Sequence, residues 1–305
     1  MTPLSAQPTP GDGAASADAR APLVDEQPSY DPPRDDCVLC GARDLHPFDR
    51  DFRGHRIVRC GACGVLFMNP QYTDRWLTHY YSHYVPASGH SHGNSWRAQP
   101  EVRRAGKQRA LQDIAAHAPG GRALMVGCGD GLELQIGQEM GWDVTGHDVD
   151  PETTARVAEQ RGVKVHCGHF PDLEEPDASF DVVYLDQVIE HPKEPGPFLD
   201  KAVRLLRPGG VLYLGQPNIG SLSNRIKRWT GRLRRRRRGR HYSSQHHITY
   251  YSPGVLTRHL RRAYGLEVLA VLGSPKPSRR PWFDWLTRRV PLLDSSFAVL
   301  ARKPS

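Results

Sequence analysis

Short apolar runs alternate with helix-like stretches from about residue 101 onward, and this alternation limits the folds open to the chain. The runs have the length of strands that are buried on both faces. The predicted strands are 123–126, 143–147, 163–166, 180–185, 211–215, 266–272 and 296–301. The predicted helices are 101–117, 132–140, 151–161, 195–207 and 253–263. This order predicts an α/β fold, with a doubly wound, mostly parallel seven-stranded sheet covered by helices on both faces.

Composition divides the chain into four parts. Residues 1–34 are rich in Pro, Gly, Ala and Ser and have almost no large apolar side chain, which predicts a disordered tail. Residues 35–70 contain four of the six cysteines and predict a small separate module. Residues 71–100 are rich in Tyr, Trp and His and are expected to form a linker or lid. The α/β domain is assigned to 101–305.

The net charge of +8 is concentrated in one short segment. Seven arginines fall within 232–240, so a basic insertion is expected near 231–240 and the rest of the chain is almost neutral. A charge run of this kind weakens the case for nucleic acid as the main partner. No apolar stretch approaches the length of a membrane span, and no secretory signal is visible at the N-terminus. We therefore expect a cytoplasmic protein.

The four clustered cysteines form two Cys-x-x-Cys pairs, each followed by a glycine: Cys37, Cys40, Cys60 and Cys63. Two such knuckles supply the four thiolates of a tetrahedral Zn²⁺ site, and the spacing is typical of a zinc ribbon. Four thiolates leave no open position for a catalytic water, so the predicted zinc is structural. The alternatives are two disulfides or four unrelated thiols, and a cytoplasmic location argues against disulfides.

A glycine-rich turn follows the first predicted strand of the α/β domain. The turn is Gly127-Cys128-Gly129-Asp130-Gly131, and Asp148 ends the next strand, nineteen residues after Gly129. Glycines let the backbone approach a ligand closely, and an acid at this distance accepts hydrogen bonds from ribose hydroxyls. The third glycine comes one residue earlier than in dinucleotide sites. The pattern therefore favours an adenosine-containing ligand over a dinucleotide.

Several segments of residues 100–305 together resemble the class I S-adenosylmethionine-dependent methyltransferases, which have a Rossmann-like fold. The matching segments are 127–131, 180–183, 188–191, 206–210 and 216–218. The cysteine knuckles, followed by Phe67-Met68-Asn69-Pro70 and the 80–84 stretch, resemble a front module of some of these enzymes, sugar C-methyltransferases among them. The resemblance implies S-adenosylmethionine as the cofactor.

The resemblance also implies which residues contact the cofactor: Gly127, Cys128, Gly129, Gly131, Asp148, Val149, His169, Phe170 and Asp186. Phe170 is expected to cover the adenine face. Two positions depart from the family pattern. Met125 stands where many members have an acid that helps to hold the methionine ammonium, and Cys167-Gly168 stands where an Asp often meets the adenine amine.

Two histidines are the candidate catalytic residues. His191 follows the fourth strand of the family pattern, where it would act as a general base or merely cap a helix. His247 precedes the late helix, where it would line the acceptor pocket or merely pack. In ubiquinone-pathway O-methyltransferases the matching segment binds a divalent ion, which here would involve Gln187, Glu190 and His191 on one helix face. The neutral amide of Gln187 weakens that alternative.

The resemblance implies methyl transfer to a small-molecule acceptor, O-, N- or C-directed, that is sugar-, lipid- or carrier-linked and bears a phosphate. The arginine run would then bind phosphates or make peripheral contact with a membrane, or it would be a solvated loop. One alternative function is an RNA methyltransferase with a zinc module, for which clustered arginines are suitable. The other is a non-catalytic protein that binds zinc and S-adenosylmethionine. The oligomeric state and the identity of the acceptor are not predicted.

Overall fold

The computed structural model describes residues 27–80, 99–118, 120–233, 239, 242, 247–277 and 281–305. The strands are, in chain order, β1 (Leu45–Arg50), β2 (Arg56–Cys60), β3 (Leu66–Met68), β4 (Arg122–Val126), β5 (Asp143–Asp148), β6 (Val165–Cys167), β7 (Phe180–Asp186), β8 (Leu206–Pro217), β9 (Thr249–Tyr250), β10 (Glu267–Gly273) and β11 (Ser296–Arg302). The helices are α1 (Pro100–Ala115), α2 (Leu132–Glu139), α3 (Pro151–Arg161), α4 (Pro195–Leu205), α5 (Leu222–Leu233), α6 (Pro253–Tyr264) and α7 (Pro281–Arg289). Residues 74–80 are also helical.

The predicted strands form one seven-stranded sheet in the order β10-β11-β8-β7-β4-β5-β6. Strands β4 to β8 pair in parallel, whereas β11 runs antiparallel to both β8 and β10. The prediction of a mostly parallel, doubly wound sheet is confirmed. In such a sheet the carboxyl ends of parallel strands meet at one edge, where ligands bind.

Alternating side chains of the central strands pack on opposite faces of the sheet. Leu124 and Val183 belong to one apolar cluster, together with residues of α4 and α6, while Met125 and Tyr184 belong to a second cluster with residues of α1 and α2. Both clusters consist of almost fully buried side chains. Near-continuous apolar strands are explained by this burial on both faces.

Helix boundaries follow from local capping chemistry. The side chain of Asp150 accepts a hydrogen bond from the backbone N–H of Thr153 at 2.7 Å, which caps the first turn of α3. Gly162 ends the same helix with φ of 62°, in the left-handed region that favours glycine. Together these caps fix α3 directly behind the carboxyl end of β5.

The cysteine module forms a second sheet that the sequence does not predict in full. Its order is β1-β2-β3-β9, and β9 comes from the far end of the chain rather than from 35–70. Leu66 pairs with Tyr250, and Phe67 pairs with Thr249. Phe67 and Cys60 lie in the same buried cluster as Leu256 of α6. The module is therefore joined to the α/β domain by a shared sheet and a shared core.

Residues 27–34 differ from the predicted disordered tail. The hydroxyls of Ser29 and Thr73 lie 2.6 Å apart, and Tyr30 forms an isolated bridge with Tyr72. The guanidinium of Arg34 donates to Glu194 at 2.8 Å. These contacts order the end of the segment because they give its polar groups fixed partners. The remainder, 1–26, lies outside the described residues.

The described part of the 71–100 segment packs against the cysteine module. Tyr72, Trp76 and Tyr80 stack successively, with ring centroids 4.1 and 5.2 Å apart, and all three are buried. The stack joins this segment to the cysteine module, because its three rings share a buried cluster with Ile57 and Leu66. Residues 81–98 lie outside the described residues, as do 234–238 and 240 of the arginine run. Within the described ranges, no helix has both the length and the apolar character required to cross a bilayer.

Candidate active site

The glycine turn between β4 and α2 adopts backbone angles that favour glycine. Gly127, Gly129 and Gly131 have φ of 68°, 50° and 73°. A Cβ placed on Gly131 would lie 2.7 Å from a methyl group of Val157, so this glycine allows α3 to approach. A Cβ on Gly129 would meet no described atom within 4 Å. The middle of the turn is thus the part open to a ligand.

Asp148 lies opposite this turn at the end of β5. Its Oδ2 accepts a hydrogen bond from the N–H of Gly129 at 2.9 Å, which leaves Oδ1 directed towards the N–H of Asp150 at 3.3 Å. Burial raises the pKa of the Asp148 carboxyl, and the Gly129 N–H opposes this effect. The structure thereby brings the predicted glycine turn and the predicted acid together at the carboxyl edge of the sheet.

The three residues expected around the adenine have different surroundings. Val149 is 54% exposed, which leaves an apolar side chain available to a ring next to Asp148. His169 is also exposed, and its Nδ1 lies 3.2 Å from Asp172. Phe170, in contrast, is fully buried with its ring packed edge-on against His147 at 5.3 Å. The full burial of this ring leaves it no exposed surface, and its contact with the adenine stays a prediction.

Asp186 at the end of β7 belongs to an ion network that sequence reasoning missed. Its carboxylate accepts from the ammonium of Lys107 at 2.7 Å and from the hydroxyl of Tyr184 at 3.2 Å. Lys107 also forms an ion pair with the buried Glu133 of α2. These two carboxylates raise the pKa of Lys107 against the opposing effect of burial. No short-range sequence signal joins α1, α2 and β7.

Arg103 of α1 binds the turn from the other side. Its guanidinium forms a bidentate ion pair with Asp130, and this contact lowers the pKa of Asp130 against the effect of burial. A groove of about 560 Å³ runs beside the pair and is lined by both residues together with Leu132 and Arg161. Helix α1 therefore contributes two cations, Arg103 and Lys107, that pair with carboxylates around the turn.

A second cluster lies after β7. It contains Glu190, His191 and His247, whose ligand atoms all lie within 4.8 Å of one another. The two imidazole rings meet edge-on with centroids 4.8 Å apart. The Nε2 atoms of His191 and His247 are 3.9 and 3.8 Å from Oε1 of Glu190. The structure thus brings both predicted catalytic histidines together.

Backbone pairing explains this convergence. The N–H groups of Ile248 and Thr249 both donate to the carbonyl of Glu190, at 3.0 and 3.2 Å. The hydroxyl of Tyr251 donates to the carbonyl of Ile189 at 3.1 Å. Because the β9 segment is hydrogen bonded to residues 189–190 in this way, His247 lies next to His191.

The electrostatics of the cluster favour neutral groups. Burial raises the pKa of Glu190 well above its usual range, and the nearby Gln216 amide only partly opposes this. Burial lowers the pKa of His247 well below its usual range, and the neighbouring His191 lowers it further. A neutral imidazole can accept a proton or ligate a cation. The neutral imidazoles can therefore accept a proton or orient an acceptor, whereas a divalent cation would bind here only with the Glu190 carboxyl deprotonated.

The alternative metal set of Gln187, Glu190 and His191 is not what the structure assembles. Residues 187–191 form a turn and not a helix, and Gln187 is exposed with φ of 60°. The expected helix face is therefore absent, and α4 begins only at Pro195 with Glu194 as its N-cap. His191 consequently does not cap a helix.

The four cysteines converge in the front module. The sulfur atoms of Cys37 and Cys63 are 3.7 Å apart, and those of Cys40 and Cys60 are 3.6 Å apart. Four sulfurs placed tetrahedrally about 2.3 Å from Zn²⁺ lie about 3.8 Å from one another, whereas a disulfide needs about 2.0 Å. The set fits a zinc ion and contains no disulfide.

Both knuckles have the same backbone pattern. In each, the glycine N–H bonds to the carbonyl of the first cysteine, Gly41 to Cys37 and Gly64 to Cys60, both at 2.9 Å. A backbone N–H also points at the first sulfur of each pair at 3.4 Å. The Sγ–H of Cys63, hydrogen bonded to Cys37, lowers the pKa of Cys37 to about 5. This environment stabilises the thiolate of Cys37, whereas burial raises the pKa of Cys40 and the hydrogen bond with Cys37 raises that of Cys63.

Comparison with known proteins places this geometry in a family. Residues 124–214 match the methyltransferase domain family. A probable S-adenosylmethionine-dependent methyltransferase of Mycolicibacterium smegmatis is 36% identical over 126 residues, which is 41% of this chain and 46% of that protein. A ubiquinone biosynthesis O-methyltransferase of Caulobacter vibrioides is 35% identical over 127 residues, covering 38% of this chain and 50% of that protein. The match spans about half the length of these relatives.

A solved structure agrees in fold. The 1,6-didemethyltoxoflavin-N1-methyltransferase of Burkholderia thailandensis, with 1,6-didemethyltoxoflavin and S-adenosylhomocysteine bound, superposes with a TM-score of 0.52 at 18% identity. The superposition covers 86% of this chain and all of that protein. The sheet order and the glycine turn of this chain agree with the family match found in its sequence. This chain therefore contains, at residues 124–214, a methyltransferase domain related to S-adenosylmethionine-dependent enzymes.

Proposed function

We propose that the protein is an S-adenosylmethionine-dependent methyltransferase that acts on a small-molecule acceptor. The observation that carries the proposal is the contact between Gly129 and Asp148 at an open edge of the sheet. Asp148 would accept the ribose hydroxyls, and the backbone of Gly127 to Gly131 would lie under the nucleoside. Val149 would contact the adenine, with His169 nearby. Asp186, held by Lys107, would border the same cleft.

The cofactor supplies a methyl group already activated by its sulfonium, so the protein's task is chiefly to position the acceptor and exclude water. His247 is the candidate to remove a proton from an O–H or N–H acceptor, because its imidazole is neutral and its ring lies against that of His191. Glu190 and His191 would hold that ring in place. His247 is thus the proposed base and His191 the residue that orients the acceptor beside it.

We further propose that Cys37, Cys40, Cys60 and Cys63 hold a structural Zn²⁺. Support comes from sulfur separations of 3.6 and 3.7 Å and from backbone N–H groups directed at the sulfurs. With four thiolates the ion has no open position, so it takes no part in catalysis. Cysteines that are this close without forming a disulfide suit a reducing compartment, and a cytoplasmic location is part of the proposal.

The acceptor is proposed to be a sugar-, lipid- or carrier-linked compound bearing a phosphate. The support is the arginine run in the sequence, which begins in the last turn of α5 and precedes His247.

Two measurements test the proposal. Calorimetry with S-adenosylhomocysteine should give binding that is weakened by substitution of Asp148. Mass spectrometry of cells overproducing the protein should reveal a metabolite that gains one CH₂, and His247→Gln should abolish the gain. Absence of S-adenosylhomocysteine binding would refute the proposal. Binding without any methylated product across broad acceptor panels would favour the non-catalytic alternative.

A further inference from the structure

Helix α5 has its amphipathic faces in the reverse of the usual orientation. Leu222, Ile226 and Trp229 are spaced four and three residues apart and share one face of the helix. They are 44%, 52% and 66% exposed. A surface helix of a water-soluble domain normally turns such a face towards the core. Here the apolar face is turned to the outside.

The opposite, polar face fixes this orientation through specific contacts. The amide of Asn224 donates to the carbonyl of Asn218 at 2.8 Å, and the hydroxyls of Ser221 and Ser223 lie 3.1 Å apart. The guanidinium of Arg228 lies 4.9 Å from the ring centroid of Phe48 in the cysteine module. The contact of Arg228 joins α5 to the cysteine module, and those of Ser223 and Asn224 fix its first turn to residues 218–221.

Neighbouring elements extend the exposed apolar surface. The turn Pro291–Leu293 contacts both α5 and α7. Val290 and Leu292 are 38% and 44% exposed, and Trp285 of α7 is 57% exposed. Seven of the nine large apolar side chains exposed by the described residues lie in α5, α7 or 290–292. We call Leu222, Ile226, Trp229, Val290 and Leu292 the apolar edge.

Positive charge accompanies the apolar edge. Helix α5 contains Arg225, Lys227, Arg228 and Arg232 and no acidic residue, and Arg225 and Lys227 are exposed. The sequence continues directly into Arg234–Arg238. Apolar and aromatic side chains flanked by cations are what an interfacial helix presents to an anionic lipid surface.

From this juxtaposition we propose that α5 binds the surface of an anionic phospholipid bilayer, with the apolar edge inserted among the acyl chains and the basic residues at the phosphates. Nucleic acid explains the arginines but leaves Leu222 and Ile226 with nothing to bury them. A second copy of the chain would oppose like charges on the same face. Helix α5 begins just after the carboxyl end of β8, so a bound membrane would lie beside the cleft.

The test uses the full chain and co-sedimentation with phosphatidylcholine vesicles, with and without phosphatidylglycerol. We expect binding only to the anionic vesicles. Ile226→Ser/Trp229→Ser should lower the partition coefficient about 100-fold, since two apolar side chains remain in water. Arg225→Gln/Lys227→Gln should lower it about 30-fold at low salt, at about 1 kcal/mol for each charge. Ile226→Leu/Trp229→Phe should retain binding.

Arg261→Gln/Arg262→Gln on α6 is the matched charge control, because it removes two exposed cations elsewhere. All variants alter exposed positions, and unchanged melting temperatures would verify folding. Equal binding to both vesicle types, or none, would overturn the proposal. So would a salt-sensitive complex with transfer RNA that Ile226→Ser/Trp229→Ser leaves intact, or a dimer that this variant dissociates. Vesicle binding needs no methyl acceptor, so its failure is distinguishable from failure of the proposed reaction.

Discussion

The two ends of the candidate active site are built in different ways. At the cofactor end, Gly127 to Gly131 and Asp148 come from adjacent strands within a short stretch of sequence, and backbone groups make the decisive contacts. At the acceptor end, Glu190 and His191 meet His247 from a distant segment, and side chains make the contacts. The arrangement of the cofactor end follows from the pairing of neighbouring strands in the sheet. The arrangement of the acceptor end depends on β9 and therefore on the cysteine module that pairs with it.

The largest expected effect comes from removing the zinc, which should damage the acceptor end and spare the cofactor end. Cys60→Ser should release zinc, whose binding contributes about 10–16 kcal/mol to folding in small zinc modules. Loss of the module removes the partner strand of β9 and displaces His247, so turnover should fall at least about 100-fold. Affinity for S-adenosylhomocysteine should persist. A metal assay, calorimetry and a turnover assay test this. Equal loss at both ends would contradict the comparison.

A direct change at the acceptor end should affect turnover but leave the cysteine module folded. His247→Gln removes the proposed base and should lower turnover about 10²–10⁴-fold, which is typical of general base catalysis. Cofactor affinity should not change. In the wild type, the lowered pKa of His247 keeps the base neutral at acidic pH, so activity should persist below pH 6.5 and decline as the imidazole becomes protonated. A pH–rate profile that is unchanged by the substitution would exclude His247 as the base.

The third prediction concerns His147 at the cofactor end and the stability of the fold in acid. Burial lowers the pKa of His147 from 6.5 to about 4. The unfolded chain therefore takes up a proton that the folded chain does not, and stability falls as the pH drops from 6.5 to 4. The loss is about 3 kcal/mol by pH 4. Urea unfolding of wild type and His147→Leu at pH 7.5 and 4.5 measures it. The variant should lose less stability, and parallel losses would refute the assignment.

The smallest expected effect is on cofactor affinity and comes from substitution of Asp148. Asp148→Ala should weaken S-adenosylhomocysteine binding by about 1.5–3 kcal/mol, the contribution of hydrogen bonds to a charged group. Asp143→Ala, at the opposite end of β5 and exposed, is the matched control. Turnover at saturating cofactor should stay near the wild-type value if the two ends are independent. Unchanged calorimetric affinity in Asp148→Ala would refute its role in ribose binding.

Much of the cofactor end could be predicted because its signals are local. Glycines with positive φ, an acid at the end of a strand and apolar runs all act within a few residues of where they occur. Phe170 shows the limit of this reasoning, since whether an aromatic residue covers a ligand or enters the core depends on what packs behind it. His147 and Phe198 are the partners that bury it.

The acceptor end could be predicted only in part because its contacts are long-range. His191 and His247 were each identified, but β9 was not, since a two-residue strand has no periodicity to detect. Lys107 is similar: its two carboxylate partners lie on α2 and β7, and no spacing along the chain links them. The reversed orientation of α5 also depends on tertiary contacts.

The position of β11 has a consequence for how the chain acquires its structure. This strand follows all the others in the described chain, yet it lies between β8 and β10. During synthesis on the ribosome, β8 keeps a long unpaired edge until residues 296–302 emerge, and β10 cannot join the sheet before them. Open edges of this kind invite pairing with other chains. Nascent chains shortened before β11 are therefore expected to aggregate.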